Sequence, residues 1–297
     1  MNAMKNDPSQ GGERRIGYGL VLPYVVNFAV FLAFPLIFSL VLVFHRWNIL
    51  SPMEWVGLGN FRILLRDELF FKSIVNTLVF LAIHIPLQIS LALLLAELLH
   101  RTTVLKGFFR AAVFLPVVVS GVVISVLWGQ LFAQDTGTIN RALVSVGIGR
   151  VPWLISPSMA MVSIALVATW KNVGLYSIFF LIALQGVPRS LYEAAAMDGA
   201  GPFRRFFSIT FPTINPIFFM VVVLSTIGGF SLFVEPVILT GGGPMNSTLS
   251  AMLYIYKQGF TFYHMGYAST LGLSVALLIF IVVVIQRRLV ERRSDNE

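Results

Sequence analysis

Two ionisable residues, Lys171 and Glu235, stand inside or at the end of long apolar stretches, and a charged island from Glu193 to Pro216, EAAAMDGAGPFRRFFSITFPTINP, separates two such stretches. A lysine at mid-bilayer costs about 2.5 to 3.5 kcal/mol on insertion scales, so Lys171 must face protein or water. It could meet a polar or anionic solute in a cavity with Asn172 and Tyr176, snorkel outward, or pair with a carboxylate such as Glu235. His84, close to Pro86 and Gln88, could serve a proton or a substrate, or hydrogen-bond between helices. Enzyme chemistry has no footing in these residues. HExxH, GxSxG, a paired intramembrane Asp and the phosphate loop GxxxxGK[ST] are all missing from the sequence, and zero cysteine removes thiolate ligands and a cysteine nucleophile. Four scattered histidines form no metal-binding spacing. The expectation is a chain with no catalytic, cofactor-binding or metal-binding residues.

The elements that must position these groups are membrane helices. With 57% hydrophobic and 11% charged residues over 297, and a mean hydropathy of +0.84, the chain is an all-α, multi-pass membrane protein. Helical spans are predicted near 16–44, 70–99, 108–131, 158–186, 212–239 and 266–287, each meeting the roughly 20 residues needed to cross hydrocarbon. Pro23 and Pro35 imply a kink or tilt in the first. The fifth is interrupted by Gly228-Gly229, a pair that permits close helix contact or local unwinding, and Ser225, Gly229 and Ser231 could line a cavity or simply pack. Net charge is +8 and the pI near 10.0, but the basic residues sit at the ends of apolar runs and not in an aromatic-interleaved patch. Membrane topology explains them, and no nucleic-acid partner is expected. Alternating the loops puts Lys5, Arg14, Arg15, Arg101, Lys106, Arg110, Arg189, Arg204, Arg205 and the four arginines from Arg287 to Arg293 on one side. The smaller set, including Arg46, Arg62, Arg66, Lys72, Arg141, Arg150 and Lys257, falls on the other, so both termini are expected in the cytoplasm. Residues 1–15 read as a disordered cytoplasmic tail, 16–288 as one transmembrane domain with a cytoplasmic loop at about 190–212, and 289–297 as a cytoplasmic tail. The first apolar run is too long for a cleavable signal and should remain as an anchor.

The island itself reads as helix, corner, helix. Glu193 to Met197 are good helix formers, Asp198-Gly199-Ala200-Gly201-Pro202 supplies the turn, and Phe203, Phe206 and Phe207 recur at helical spacing. Pro202 suits the first position of the second helix. Glu193-Ala194-Ala195, Asp198-Gly199-Ala200, Phe206, Ile209 and Pro212 also resemble the EAA loop of ABC importer permeases, with Phe211 where leucine is usual. Two further stretches resemble the carbohydrate, maltose-type branch of that family. One is Trp55 to Phe61; the other is Thr240-Gly241-Gly242-Gly243-Pro244 with Asn246 and Thr248, similar to an outer loop written TGGGPxNxT. From residues alone the second is a tight surface or re-entrant loop.

The resemblance implies a type I importer permease fold in a bacterial cytoplasmic membrane. It also implies a sugar or related carbohydrate as solute and, as partners beyond the lipid bilayer, a second homologous permease, two cytoplasmic ABC ATPase subunits and an extracytoplasmic solute-binding protein. ATP would be used by those partners. Glu193, Ala194, Ala195, Asp198, Gly199, Ala200, Arg204 and Arg205 would dock the ATPase, and the Phe side chains would anchor the second helix in the permease core. Lys171, Asn172, Tyr176, Ser225, Gly229, Ser231 and Glu235 are the candidate substrate pathway. The competing reading is a self-contained channel or ion-coupled carrier, with His84, Lys171 and Glu235 as its charge path.

Overall fold

The computed structural model describes residues 8–101 and 105–294. Its helices are α1 (Tyr18–Leu42), α2 (Gly59–Leu64), α3 (Glu68–Arg101), α4 (Lys106–Val118), α5 (Gly121–Leu131), α6 (Thr138–Ser145), α7 (Pro157–Gln185), α8 (Arg189–Met197), α9 (Pro202–Phe230), α10 (Val234–Thr240), α11 (Ala251–Tyr256) and α12 (Met265–Ser294). Among the described residues, five helices are long and apolar enough to cross a membrane, and a bent pair could make a sixth. A two-residue antiparallel pairing of β1 (His45–Arg46) with β2 (Glu54–Trp55) is the one strand feature of the described chain. Backbone contacts divide the molecule into two compact units, one running to Arg66 and including Gln258–Leu273, the other comprising Asp67–Lys257 and the chain from Ser274.

In the first unit the helix leading into α1 begins at Pro8, so the tail expected over 1–15 is helical from there on; residues 1–7 lie outside the described residues. Pro8 suits a helix start, and propagation from the apolar run costs less than a new nucleus. A π turn at Ala29–Ala33 precedes Phe34-Pro35, with the Phe34 N–H reaching the Ala29 carbonyl. The wider turn makes room for the proline ring, which would otherwise strike the preceding turn. Asn60 is buried and donates through Nδ2 to the carbonyls of Val43 (2.8 Å) and His45 (3.0 Å), tying α2 to the end of α1.

The second unit is built on α3, α7 and α9. Their shared core includes Ile89, Ala92, Ala96, Phe180, Leu184, Ile214 and Val221. Lipid is as apolar as such a core, so close fit and polar bonds, and not transfer out of water, must hold these helices together. Ala92 and Ala96 are fully buried one helical turn apart on α3. At Gly174 on α7 an added Cβ would strike the Val113 carbonyl of α4, and at Gly229 on α9 it would strike the Leu81 side chain of α3. Three side-chain bonds add to the fit: His84 to Thr169 (2.8 Å), Gln88 Nε2 to Ser225 Oγ (2.8 Å) and Gln286 Nε2 to Thr226 Oγ1 (2.9 Å). Such interhelical bonds contribute on average about 0.6 kcal/mol. His84 also stacks on Phe80, so it sits in a satisfied core position.

Two expected spans are broken. The run 108–131 is α4 and α5 meeting at 96°, because Val119 and Ser120 are extended (ψ 140° and 133°). Ser120-Gly121 is a turn dipeptide inside an apolar run. The expected fifth span starts ten residues early and stops at Phe230. Gly228 and Gly229 stay helical and do not unwind; Gly229 serves close packing against α3, and the break falls at Ser231–Phe233, before α10. At the other end, α12 continues to Ser294, so the tail expected over 289–297 is helical through Ser294 and its last three residues lie outside the described residues.

Candidate functional site

The corner between α8 and α9 follows from local backbone rules. After Met197 the chain reaches Gly199 at φ +73°, and its N–H bonds the Ala196 carbonyl (3.1 Å) while Ala200 N–H bonds that of Ala195 (2.9 Å). This pair of bonds is the Schellman stop, which calls for glycine at the left-handed position. Gly201 then turns the chain, Pro202 opens α9, and Arg205 Nε donates to the Ala200 carbonyl (2.7 Å). Helix, corner, helix is therefore present as its spacing predicts. Arg205 is half-buried and fastens the turn, whereas Arg204 is exposed.

Above the corner, α9 is continuous from Pro202 to Phe230 through a π turn at Phe206–Thr210, which again immediately precedes a Phe-Pro step, Phe211-Pro212. A push on the corner thus reaches a membrane-length helix without crossing a joint. Tyr192 on α8 and Thr210 on α9 share a hydroxyl bond of 2.7 Å, a second tie that sequence reasoning missed because it joins residues 18 apart. Both line a cleft of about 450 Å³ with Leu93, Glu97, Arg205 and Phe206.

The outward face of the corner is apolar and charged together. Met197 is 90% exposed and Phe203 80%. Phe207 is also exposed, so neither Phe203 nor Phe207 anchors α9 in the core as expected; Phe206 alone of the three turns inward, to half-burial. Consecutive residues 206 and 207 point about 100° apart around the helix, which turns Phe206 inward and leaves Phe207 on the exposed side. Glu193 and Asp198 are exposed, with Glu193 3.1 Å from Arg189 in a solvent-facing pair. Ala194 is exposed, Ala195 half-buried and Ala200 buried.

The pathway candidates fall into two groups. Ser225 and Gly229 are buried against α3, the first bonded to Gln88 and the second pressed on Leu81. Lys171, Asn172 and Tyr176 are half-buried along α7, and Asn172 donates to the Ala168 carbonyl in its own helix. Ser231 is exposed at the break of α9, its hydroxyl on the Ile227 carbonyl. Lys171 Nζ lies 3.4 Å from Glu235 Oε1, with only 20% and 9% of the two side chains exposed. No group of three or more potential metal ligands occurs among the described residues.

The glycine loop after α10 is closed by its own hydroxyls and held by side chains from α3. Gly241, Gly242, Met245 and Asn246 all have positive φ. Thr248 Oγ1 meets Thr240 Oγ1 (2.7 Å) and donates to the Gly243 carbonyl (2.8 Å), closing the turn on itself. The start of α3 then holds it: Lys72 Nζ donates to the Met245 carbonyl (2.8 Å), Asn76 Nδ2 to the carbonyls of Asn246 (2.7 Å) and Leu249 (3.0 Å), and Thr77 Oγ1 accepts from Ala251 N–H (3.0 Å).

An all-α bundle of apolar spans, two of them broken, with a helical corner running into a transmembrane helix, defines a multi-spanning permease of type I importer architecture. The same fold occurs in a chain of a bacterial ABC transporter involved in the import of the acidic polysaccharide alginate, with a TM-score of 0.82 at 24% identity over 96% of this chain and 98% of that one. The family described as binding-protein-dependent transport system inner membrane component matches residues 88–295, and the chain belongs to it. Relatives include the lactose transport system permease protein LacF of Rhizobium radiobacter, 36% identical over 91% of this chain and 92% of the relative. The sn-glycerol-3-phosphate transport system permease protein UgpA of Yersinia enterocolitica is 37% identical over 93% and 94%. The chain is thus a transport subunit of a multi-subunit ABC import system in the bacterial inner membrane, and ATP hydrolysis lies on separate ATPase subunits.

Proposed function

We propose that this chain imports a sugar or related carbohydrate, lining part of a pathway shared with a second homologous permease and moved by two cytoplasmic ATPase subunits, with solute delivered by an extracytoplasmic binding protein. The observation that carries the coupling role is the corner: exposed Glu193, Asp198, Met197 and Phe203 surround a glycine stop whose second helix is itself a span. Glu193, Ala194, Ala195, Asp198, Gly199, Ala200 and Arg204 would form the docking face, with Arg205 holding its shape. ATP-driven closure of the ATPase pair then tilts α9, and nucleotide shifts the inward-open to outward-open balance by binding one state better. The carbohydrate reading is supported by the TGGGP loop and by the lactose permease relative. Along the pathway, Asn172 and Tyr176 of α7, Ser231 at the helix break and the Lys171–Glu235 pair would meet solute, whereas Ser225 and Gly229 would act through packing.

The test is uptake in proteoliposomes. The ligand of the cognate binding protein is first identified with a panel of sugars, then offered to the complete complex and to this chain alone. Accumulation that needs ATP and every subunit is expected. Full-rate uptake by the chain alone under an ion gradient would replace this reading with the self-contained carrier.

A further inference from the structure

The two broken spans share a design. In each, a helix ends at a short extended or irregular joint, Val119–Ser120 or Ser231–Phe233, and a second, shorter helix follows, α5 or α10. The two shorter helices pack on one another, with Gly129 of α5 against Leu239 of α10, and Leu239 joins Ile124, Phe132 and Val167 in one apolar cluster. The helical hydrogen-bond ladder is interrupted at both joints, so these are the places where α5 and α10 would hinge against the unbroken α7.

Lys171 sits where all three elements meet. Its ammonium rests against Gly121, the first residue of α5, so closely that a Cβ there would stand 2.7 Å from Nζ and 3.4 Å from Val234 of α10. The N-terminal end of α5 carries partial positive charge and repels a cation, so the Glu235 carboxylate is what holds the ammonium in this place. A buried ion pair adds little net stability, because both charges lose water. It does distinguish conformations sharply: paired in a dry contact or separated and hydrated are both tolerable, while one charge buried alone is not.

We propose that Lys171 and Glu235 form a clasp that holds α5 and α10 against α7 in the resting permease and parts when the pathway opens toward the 241–250 loop. The proposal rests on the importer reading, and it assigns the pair a role in setting the conformational balance in addition to any contact with solute. Parting would expose both groups to the water-filled pathway, where each is hydrated, and closing would bring Gly121 back onto the ammonium.

The experiment uses the complete importer, purified through this chain and reconstituted, with ATP hydrolysis in the absence of solute as the readout. Lys171→Met and Glu235→Gln should each raise that basal rate by about fivefold or more, since the resting state loses its preference. The exchange Lys171→Glu with Glu235→Lys should return it most of the way to wild type. A purely structural role predicts poorer assembly and no such recovery, and a purely solute-binding role predicts a raised KM for uptake with an unchanged basal rate. Because the chain has no cysteine, Lys171→Cys with Glu235→Cys offers a test that does not depend on the single variants folding. A bis-methanethiosulfonate linker matched to the reach of the two replaced side chains, which is longer than a direct disulfide spans, should bridge the two and suppress both hydrolysis and uptake, and reductant should restore them. Failure to cross-link, a cross-linked complex that transports at full rate, or single variants with wild-type basal rates would each overturn the clasp. Wild-type complex that shows no ATP-dependent uptake would instead sink the importer reading itself.

Discussion

The corner at Met197–Pro202 and the loop at Gly241–Ser250 are both glycine-rich turns, yet they are built for opposite ends. Side chains from α3 fasten the loop through Lys72, Asn76 and Thr77, and its own Thr240 and Thr248 close it internally. The corner is tied by one hydroxyl bond, Tyr192 to Thr210, and one guanidinium bond, Arg205 to Ala200, while Met197, Phe203 and Phe207 point away from the chain. A loop that satisfies its carbonyls from a neighbouring helix is part of the scaffold. A turn that satisfies its backbone by itself and exposes methionine and phenylalanine is shaped before it is covered, which suits a surface that another subunit must seize and move.

The comparison breaks first at the corner. Phe203→Glu removes the most exposed aromatic of the docking face without touching a buried contact, so thermal stability of the isolated permease should hardly change. Association with the ATPase subunits, measured by titration in detergent, should weaken about a hundredfold, as at other aromatic interface anchors. Unchanged affinity would mean that the exposed phenylalanines meet lipid and not a partner. Asn76→Leu tests the other region. It strips a donor from the exposed Asn246 carbonyl, which water can replace, and one from the carbonyl of buried Leu249, which it cannot, and should lower stability by about 1 to 2 kcal/mol in thermal unfolding. ATPase association should stay at wild-type strength, since the loss falls on the scaffold. If Asn76→Leu instead weakened association while leaving the melting temperature alone, the division of labour between the two turns would be wrong.

What the sequence made legible tracks how local each rule is. The Gly199 stop and Pro202 start are decided by single residues and their neighbours, so they could be read before any fold was known. Spans followed from hydropathy, but the 96° turn at Ser120 did not, because a window of apolar residues scores the same whether the helix runs straight or folds. Gly228-Gly229 left close contact and unwinding both open for a related reason. A glycine that lets α9 approach Leu81 and one that ends a helix look alike until the neighbour is known. The partners of Asn60, Asn76 and Thr77 could not be read from sequence, since Asn76 donates to carbonyls 170 and 173 positions away, Thr77 accepts from an N–H 174 positions away, and Asn60 donates to carbonyls in an irregular hairpin. The phenylalanines of the corner were misread by counting aromatics where the face mattered.

The smallest expected effect separates the fastening of the corner from its docking. Tyr192→Phe removes one hydroxyl bond between α8 and α9 and keeps the ring in the cleft beside Leu93 and Phe206. Thr210 can return its hydroxyl to a carbonyl of its own helix, as Thr213 and Thr226 do in the same span, so no polar group need stay unpaired. The cost to thermal stability should be about 0.5 to 1 kcal/mol. The docking face is untouched, and ATPase affinity should match wild type. What should fall is the amount of solute moved per ATP, because α8 could then shift without carrying α9. A variant with normal stoichiometry would show that the continuous helix from Pro202 transmits the movement without help from this bond, and the two ties of the corner would reduce to one, at Arg205.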